Sequence, residues 1–230
     1  MISDDPRLPL PVRISRLKRS RRLRLRVDHD ARLLKLTMPW RHSARAALDW
    51  VAGQRPWIER QLAAAPDAVP LHDGATIPVE GVPLTIVHQP GARRGVRVEG
   101  RELIIGGLAE SVPAAIERWL RTLARERLSA ETARVAAAAG VTVRSVSVGD
   151  AASRWGSCSS SGAIRFSWRL ILAPPHVLRF VVAHEVAHRL HMDHSPAFKA
   201  AEERLFGGPG GPARSDLRRL SPSLRAVGRR

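Results

Sequence analysis

The chain has 230 residues, 44% of them apolar, which is enough for a proper core in one large or two small domains. The formal net charge is +17; only Lys18, Lys35 and Lys199 are lysines, so the bias is one of arginine, which either decorates solvated surface or meets a polyanion such as nucleic acid. The opening MISDDPRLPLPVRISR has no apolar run after a basic start and no stretch approaches about 18 continuous apolar residues, so neither a signal peptide nor a membrane span is expected, and one cysteine, Cys158, excludes an internal disulfide and suits a reducing cytoplasm.

In chain order, Arg13 to Arg26 is the densest basic run. Its second half alternates, with Leu23, Leu25 and Val27 on one side and Arg22, Arg24 and Arg26 on the other, the pattern of a half-buried strand with a cationic outer face. Asp28 to Arg32 reads as a turn and Leu33 to Met38 as the returning strand of a hairpin, whose basic face is a solvated surface or a phosphate-binding ribbon. Ser43 can cap a helix through Val51, and Pro56 can open a second, PWIERQLAAA, with Trp50 and Trp57 as core anchors. From Gly74 to Gly107 the short β segments TIPVE, VPLTIVHQ, GVRVEG and ELIIGG are punctuated by Gly and Pro. No internal repeat is evident. Residues 1–110 therefore read as a β-rich N-terminal module with an inserted helical pair.

Val112-Pro113 opens a long amphipathic helix, with Ile116, Leu120, Leu123 and Leu128 on one side and an end near Gly140. Val141 to Val148 alternates as a strand. SRWGSCSSSG and AIRFSWRLIL then read as a strand, a turn at Ser160 to Gly162, and a long return strand with Ile164, Phe166, Trp168 and Leu170 on one face. Pro174 and Pro175 end that strand. The helix that follows, PHVLRFVVAHEVAHRLH, is apolar on more than one side and is expected to run through the interior.

This helix carries the chemistry. Four of the nine histidines and two carboxylates, Glu185 and Asp193, fall between His184 and His194. His184 and His188 lie one helical turn apart, so both imidazoles project from one face and can share a cation. Glu185 sits roughly 100° further round, where it can reach a metal-bound water without ligating the metal, the position of a general base. His191 and His194 compete as third ligand. His191 lies about 10 Å along the axis from His184, which converges poorly. Asp193, Ser195 and Pro196 favour a turn that brings His194 back, so His194 is preferred. Three imidazoles with one open position describe a catalytic zinc site, whereas a closed structural site would want four protein ligands. The ten-residue interval matches HExxHxxGxxH, but His191 stands where the glycine belongs and no methionine follows the third ligand, so that class is rejected. Cys158 has no cysteine partner, and His176 and His191 read as supporting, capping or surface groups.

The segment RWGSCSSSGAIRFSWRLILAPPHVLRFVVAHEVAHRLHMDHSPAF, Arg154 to Phe198, resembles the signature of the YgjP-like (SprT/WSS-related) zinc metallopeptidases. It departs from the pattern at Lys199, where a tryptophan is usual. The resemblance implies Zn2+ held by His184, His188 and His194, Glu185 as catalytic base, and a zincin-like core of helix, antiparallel sheet and helix. The whole is then an α+β protein with a β-rich module at 1–110, a catalytic domain at 111–206 and a Gly/Pro-rich basic tail at 207–230. Arg154, Trp155, Gly156 and Ser157 are candidates for substrate binding, as an edge strand that pairs with an extended polypeptide. The chain has no tyrosine, so Arg154 or Arg165 is the candidate donor to a developing oxyanion. Two further readings differ in class: a metal-dependent nucleotide hydrolase, for which neither a Walker-type loop nor an Asp-rich two-metal cluster is present, and a nucleic-acid-binding protein with a residual zinc site, against which the intact Glu185 argues.

Overall fold

The computed structural model describes residues 2–28, 32–63, 66–151 and 154–229. The chain forms two compact units, residues 1–67 and 68–229. The first is a sheet of β1 (Ile2–Ser3), β2 (Val12–Leu17), β3 (Arg24–Asp28) and β4 (Leu33–Pro39), in the order β1-β2-β4-β3, followed by α1 (Ala44–Gly53) and α2 (Arg55–Ala63). Ser43 caps α1, its Oγ accepting from the Ala46 amide. Alternation puts Val12, Ile14, Leu34 and Leu36 on one face, in a single apolar cluster with Ala47, Val51 and Ile58 of the helices. Trp50, expected as a core anchor, is instead 37% exposed, because Ala47 and Val51 take the inward stripe of α1. His29, Asp30 and Ala31 of the expected turn lie outside the described residues.

Cross-strand partners share a face, so the opposite face carries Arg13, Lys35 and Arg26 in one row across β2, β4 and β3, with Arg24 beside Thr37 in the next. Lys35 pairs with Asp28 at 2.5 Å. Like charges directly opposite one another destabilise a sheet, and the Asp28 carboxylate on Lys35 offsets part of that repulsion.

The second unit begins with β5 (Thr76–Val79), β6 (Val82–His88), β7 (Gly95–Glu99) and β8 (Glu102–Gly106), in the order β5-β6-β8-β7. A 28-residue helix, α3 (Val112–Ala139), follows and ends on Gly140, whose left-handed φ of 65° closes it. A three-stranded sheet of β9 (Ser145–Gly149), β10 (Gly156–Cys158) and β11 (Ala163–Ser167) leads through a 3-10 turn, Trp168–Leu172, into α4 (Pro175–Ala187), α5 (Pro196–Phe206) and α6 (Gly211–Ala226). Among the described residues no helix is long and apolar enough to cross a membrane.

One connection recurs three times. In β2-β3-β4, β6-β7-β8 and β9-β10-β11, a strand is followed by a hairpin whose second strand inserts parallel beside the first, leaving the hairpin's first strand outside. The repeat is one of topology, and the residues that build it differ each time. It makes the third sheet mixed, since β11 runs antiparallel to β10 but parallel to β9, and corrects the expected antiparallel arrangement.

Three other expectations change. No break falls near residue 110: Ile77, Leu84, Ile86, Leu103 and Ile105 share one core with α3 and α4, and the amides of Glu80 and Gly81 donate to the carbonyls of Ile171 and Leu172 just before α4. The return strand stops at Ser167: Trp168 to Leu172 are buried without alternation and form a 3-10 turn, closed by the Ala173 amide donating to the Leu170 carbonyl. Arg169, inside that turn, stacks 4.4 Å from the Trp168 ring and pairs with Asp150. The Gly/Pro-rich end is no tail. Gly207 terminates α5 in the left-handed region, Pro212 suits the first turn of α6, and Ala213, Leu224 and Ala226 are buried.

Candidate metal centre

Pro175 opens α4, and the helix runs through the core with Val177, Phe180, Val181, Val182 and Val186 buried. Its last turns carry His184 and Glu185, and His188 is the residue that caps it. The chain then turns back, Ser195 accepts from the Phe198 amide to start α5, and His194 is returned to the end of α4. One nitrogen from each of His184, His188 and His194 lies within 4.8 Å of the others. The Nε2 atoms of His184 and His194 face each other at 3.4 Å. Phe198, 1% exposed, supports all three rings, with centroids 5.1, 4.6 and 4.8 Å from its own.

In His184 and His188 the other nitrogen is committed elsewhere, which favours one tautomer of each. His184 Nδ1 lies 2.6 Å from a carboxylate oxygen of Glu202, and His188 Nδ1 lies 3.2 Å from the His191 carbonyl oxygen. With those nitrogens donating, Nε2 of His184 and of His188 is an unprotonated acceptor available to a cation. Lone pairs converging in this way suit a cation and little else, and the all-nitrogen set at this spacing fits zinc. Burial pushes His188 below the ordinary histidine range, opposed by its bond to His191.

Glu202 was not found from the sequence. It is 2% exposed, and Arg214 of α6 binds its second oxygen at 2.6 Å. Burial alone would raise its pKa, but the bonds from His184 and Arg214 hold it below the usual carboxylate range. The signal was available: Ser195-Pro196 marks a helix start, and Phe198 and Glu202 fall one turn apart on its inner face.

Glu185 is 5% exposed and makes no hydrogen bond or ion pair among the described residues. Burial raises its pKa to about 7, against the pull of His184 and Arg154. A cation held by the histidines would draw it down again. Its carboxylate lies against β10, where a Cβ at Gly156 would collide with it. β10 is the edge of its sheet and is tied to β11, with the Ser167 amide donating to the Trp155 carbonyl oxygen. Arg154, Trp155 and Gly156 line a cavity of about 300 Å³ with His184 and Glu185. Ser157 is on the strand but does not line the cavity. Arg165 lies elsewhere, its guanidinium against Gly149. Cys158 is outside the histidine cluster, its thiol pushed up by burial. The His191 side chain is also outside it, and His176 binds Asp216, joining α4 to α6. A larger cavity, about 490 Å³ between β7, β8 and α3, shares no residue with this site.

A mixed α+β fold that ends a buried helix in two imidazoles and a carboxylate, with a third imidazole returned by the next turn, defines a metallohydrolase type of site. The family model for the YgjP-like metallopeptidase domain matches residues 21–209, and the chain belongs to that family. Comparison with curated proteins and with solved structures finds no match.

Proposed function

We propose that the chain is a zinc-dependent peptidase in which His184, His188 and His194 hold the metal and Glu185 is the catalytic base, set in a zincin-like core of α3, the β9-β10-β11 sheet and α4. The observation that carries this reading is the pairing of a three-nitrogen cluster with a buried, unpartnered carboxylate one residue along the same helix. A zinc ion bound there supplies the Lewis acidity that lets water attack near neutral pH. Glu185, held off the histidine face, takes a proton from that water and returns it to the leaving amine nitrogen. Gly156 lets the β10 main chain approach the carboxylate, and the open edge of β10 has amides and carbonyls with which an extended polypeptide can pair. Arg154, beside His184 and Glu185, is the side chain best placed to donate to a developing oxyanion. Apolar walls beside the site favour a polypeptide over a nucleotide, because of its two arginines Arg214 is already bound to Glu202.

The test is a pair of variants. His184→Ala should abolish stoichiometric zinc, and Glu185→Gln should keep the zinc and lose hydrolysis of unfolded polypeptide by about a hundredfold or more. Unchanged turnover in Glu185→Gln ends the reading, as does hydrolysis of nucleoside triphosphates in place of peptide.

A further inference from the structure

The cavity beside the histidines has a far wall that the family match does not reach, since the match ends at residue 209 and α6 starts at Gly211. Its floor is Phe180 and Val181 of α4, both 4% exposed, and its sides are Trp155 before β10 and Leu217 of α6. At about 300 Å³ it stands at the small end of ligand pockets, with room for one large side chain rather than a cofactor.

The walls are fixed before anything enters. Trp155 Nε1 donates to Ser221 Oγ at 2.9 Å, and the Arg225 guanidinium covers the indole at 4.5 Å. At the start of α6 a Cβ at Gly210 would come within 2.6 Å of the Phe180 ring, so helix and ring meet at close range only because that residue is glycine. Arg214 lies 5.4 Å from the same ring while bonded to Glu202. Arg154 adds a second cation to the lining, so a lysine or arginine side chain would meet like charge there. An aliphatic or aromatic one would meet Phe180, Val181, Trp155 and Leu217.

We infer that this cavity is a substrate subsite that takes a large apolar side chain next to the scissile bond, and that Leu217 on α6 sets its depth. The inference rests on the peptidase reading, because only a bond held at His184 and Glu185 places a neighbouring side chain here. A pocket filled by added methylenes discriminates about 10–200-fold per group. The preference of the enzyme should therefore lie in this wall.

The experiment uses the zinc-loaded full chain and a matched peptide series that varies only the residue flanking the cleaved bond, through Ala, Leu, Phe and Lys. The wild type should cleave the Leu or Phe peptide at least about tenfold better in kcat/KM than the Ala or Lys peptide. Leu217→Trp, which fills the cavity, should collapse that ratio toward one. Leu217→Ala, which deepens it, should move the preference toward Phe. These shifts are opposite in sign, and loss of folding cannot mimic them, because it lowers all rates together. A wild type without side-chain preference, or ratios untouched by both variants, overturns the subsite while leaving the peptidase reading intact. Failure of the wild type to cleave any peptide overturns the peptidase reading and the subsite with it.

Discussion

Glu202→Gln isolates what the buried carboxylate does for the metal site. The carboxylate bonds His184 Nδ1 at 2.6 Å and Arg214 at 2.6 Å and is itself 2% exposed, whereas Arg214 is half exposed, so solvent weakens the Arg214 bond more than the His184 bond. A hydrogen bond to a charged group contributes about 1.5–3 kcal/mol and is roughly twice as strong as its neutral counterpart. Glutamine can still accept from Nδ1, but then its amide points N–H groups at the Arg214 guanidinium, donor against donor. His184 is held less firmly and its Nε2 is less basic. Outer partners of this kind change metal affinity by about 10–100-fold, or about 1.4–2.7 kcal/mol. Competition for zinc against a fluorescent chelator should report a loss of that size in Glu202→Gln. Arg214→Leu, which removes a half-exposed partner but keeps the acceptor, should lose no more than about fivefold. Thermal unfolding of both metal-free variants separates a change in affinity from a change in fold. Zinc affinity in Glu202→Gln within twofold of wild type refutes the claim that Glu202 orients the ligand.

Gly156→Ala puts a methyl group into the Glu185 carboxylate and should cost about 1–3 kcal/mol in unfolding free energy and most of the hydrolytic rate, with zinc stoichiometry unchanged because no imidazole is touched; wild-type melting and turnover would show that β10 yields without consequence. Phe198→Ala removes the ring that supports all three imidazoles and should destabilise the metal-free protein by about 3–5 kcal/mol, which denaturant unfolding measures directly. On the N-terminal sheet, Arg13, Lys35 and Arg26 form a row of charge with no aromatic group among them, which suits a duplex phosphate backbone better than stacked single-stranded bases. Duplex DNA should bind with an affinity that falls linearly on logarithmic salt axes, and an Arg13→Ser, Arg26→Ser double variant should flatten that slope by about 2. A slope that salt or the variant leaves unchanged rejects the phosphate reading.

The three-histidine cluster was legible because its information is local. Two histidines one turn apart, a carboxylate beside the first and a Ser195-Pro196 helix start are all contained within His184 to Pro196; helix geometry pairs His184 with His188, and the turn between α4 and α5 returns His194. The first hairpin and the cap at Ser43 were legible on the same ground. What was missed depends on pairing at a distance. Alternation identifies strands but says nothing of their order, so three strand-plus-hairpin units with parallel inner pairs, β2-β4, β6-β8 and β9-β11, left no trace in the residues. Apolar runs misled in the same way, because WRLIL satisfies a buried turn as well as a strand. The C-terminal segment was misread through its composition, when its punctuation held the answer: Gly207 stops one helix, Pro212 starts the next, and between them Gly210 admits the Phe180 ring. That misreading concealed α6, and with it Arg214 behind Glu202 and Leu217 in the cavity wall. Local sequence thus marks which nitrogens can converge on a metal, while Glu202 of α5, which bonds His184, and Arg214 and Leu217 of α6 behind it are brought there by packing, with Gly210 letting α6 approach the Phe180 ring.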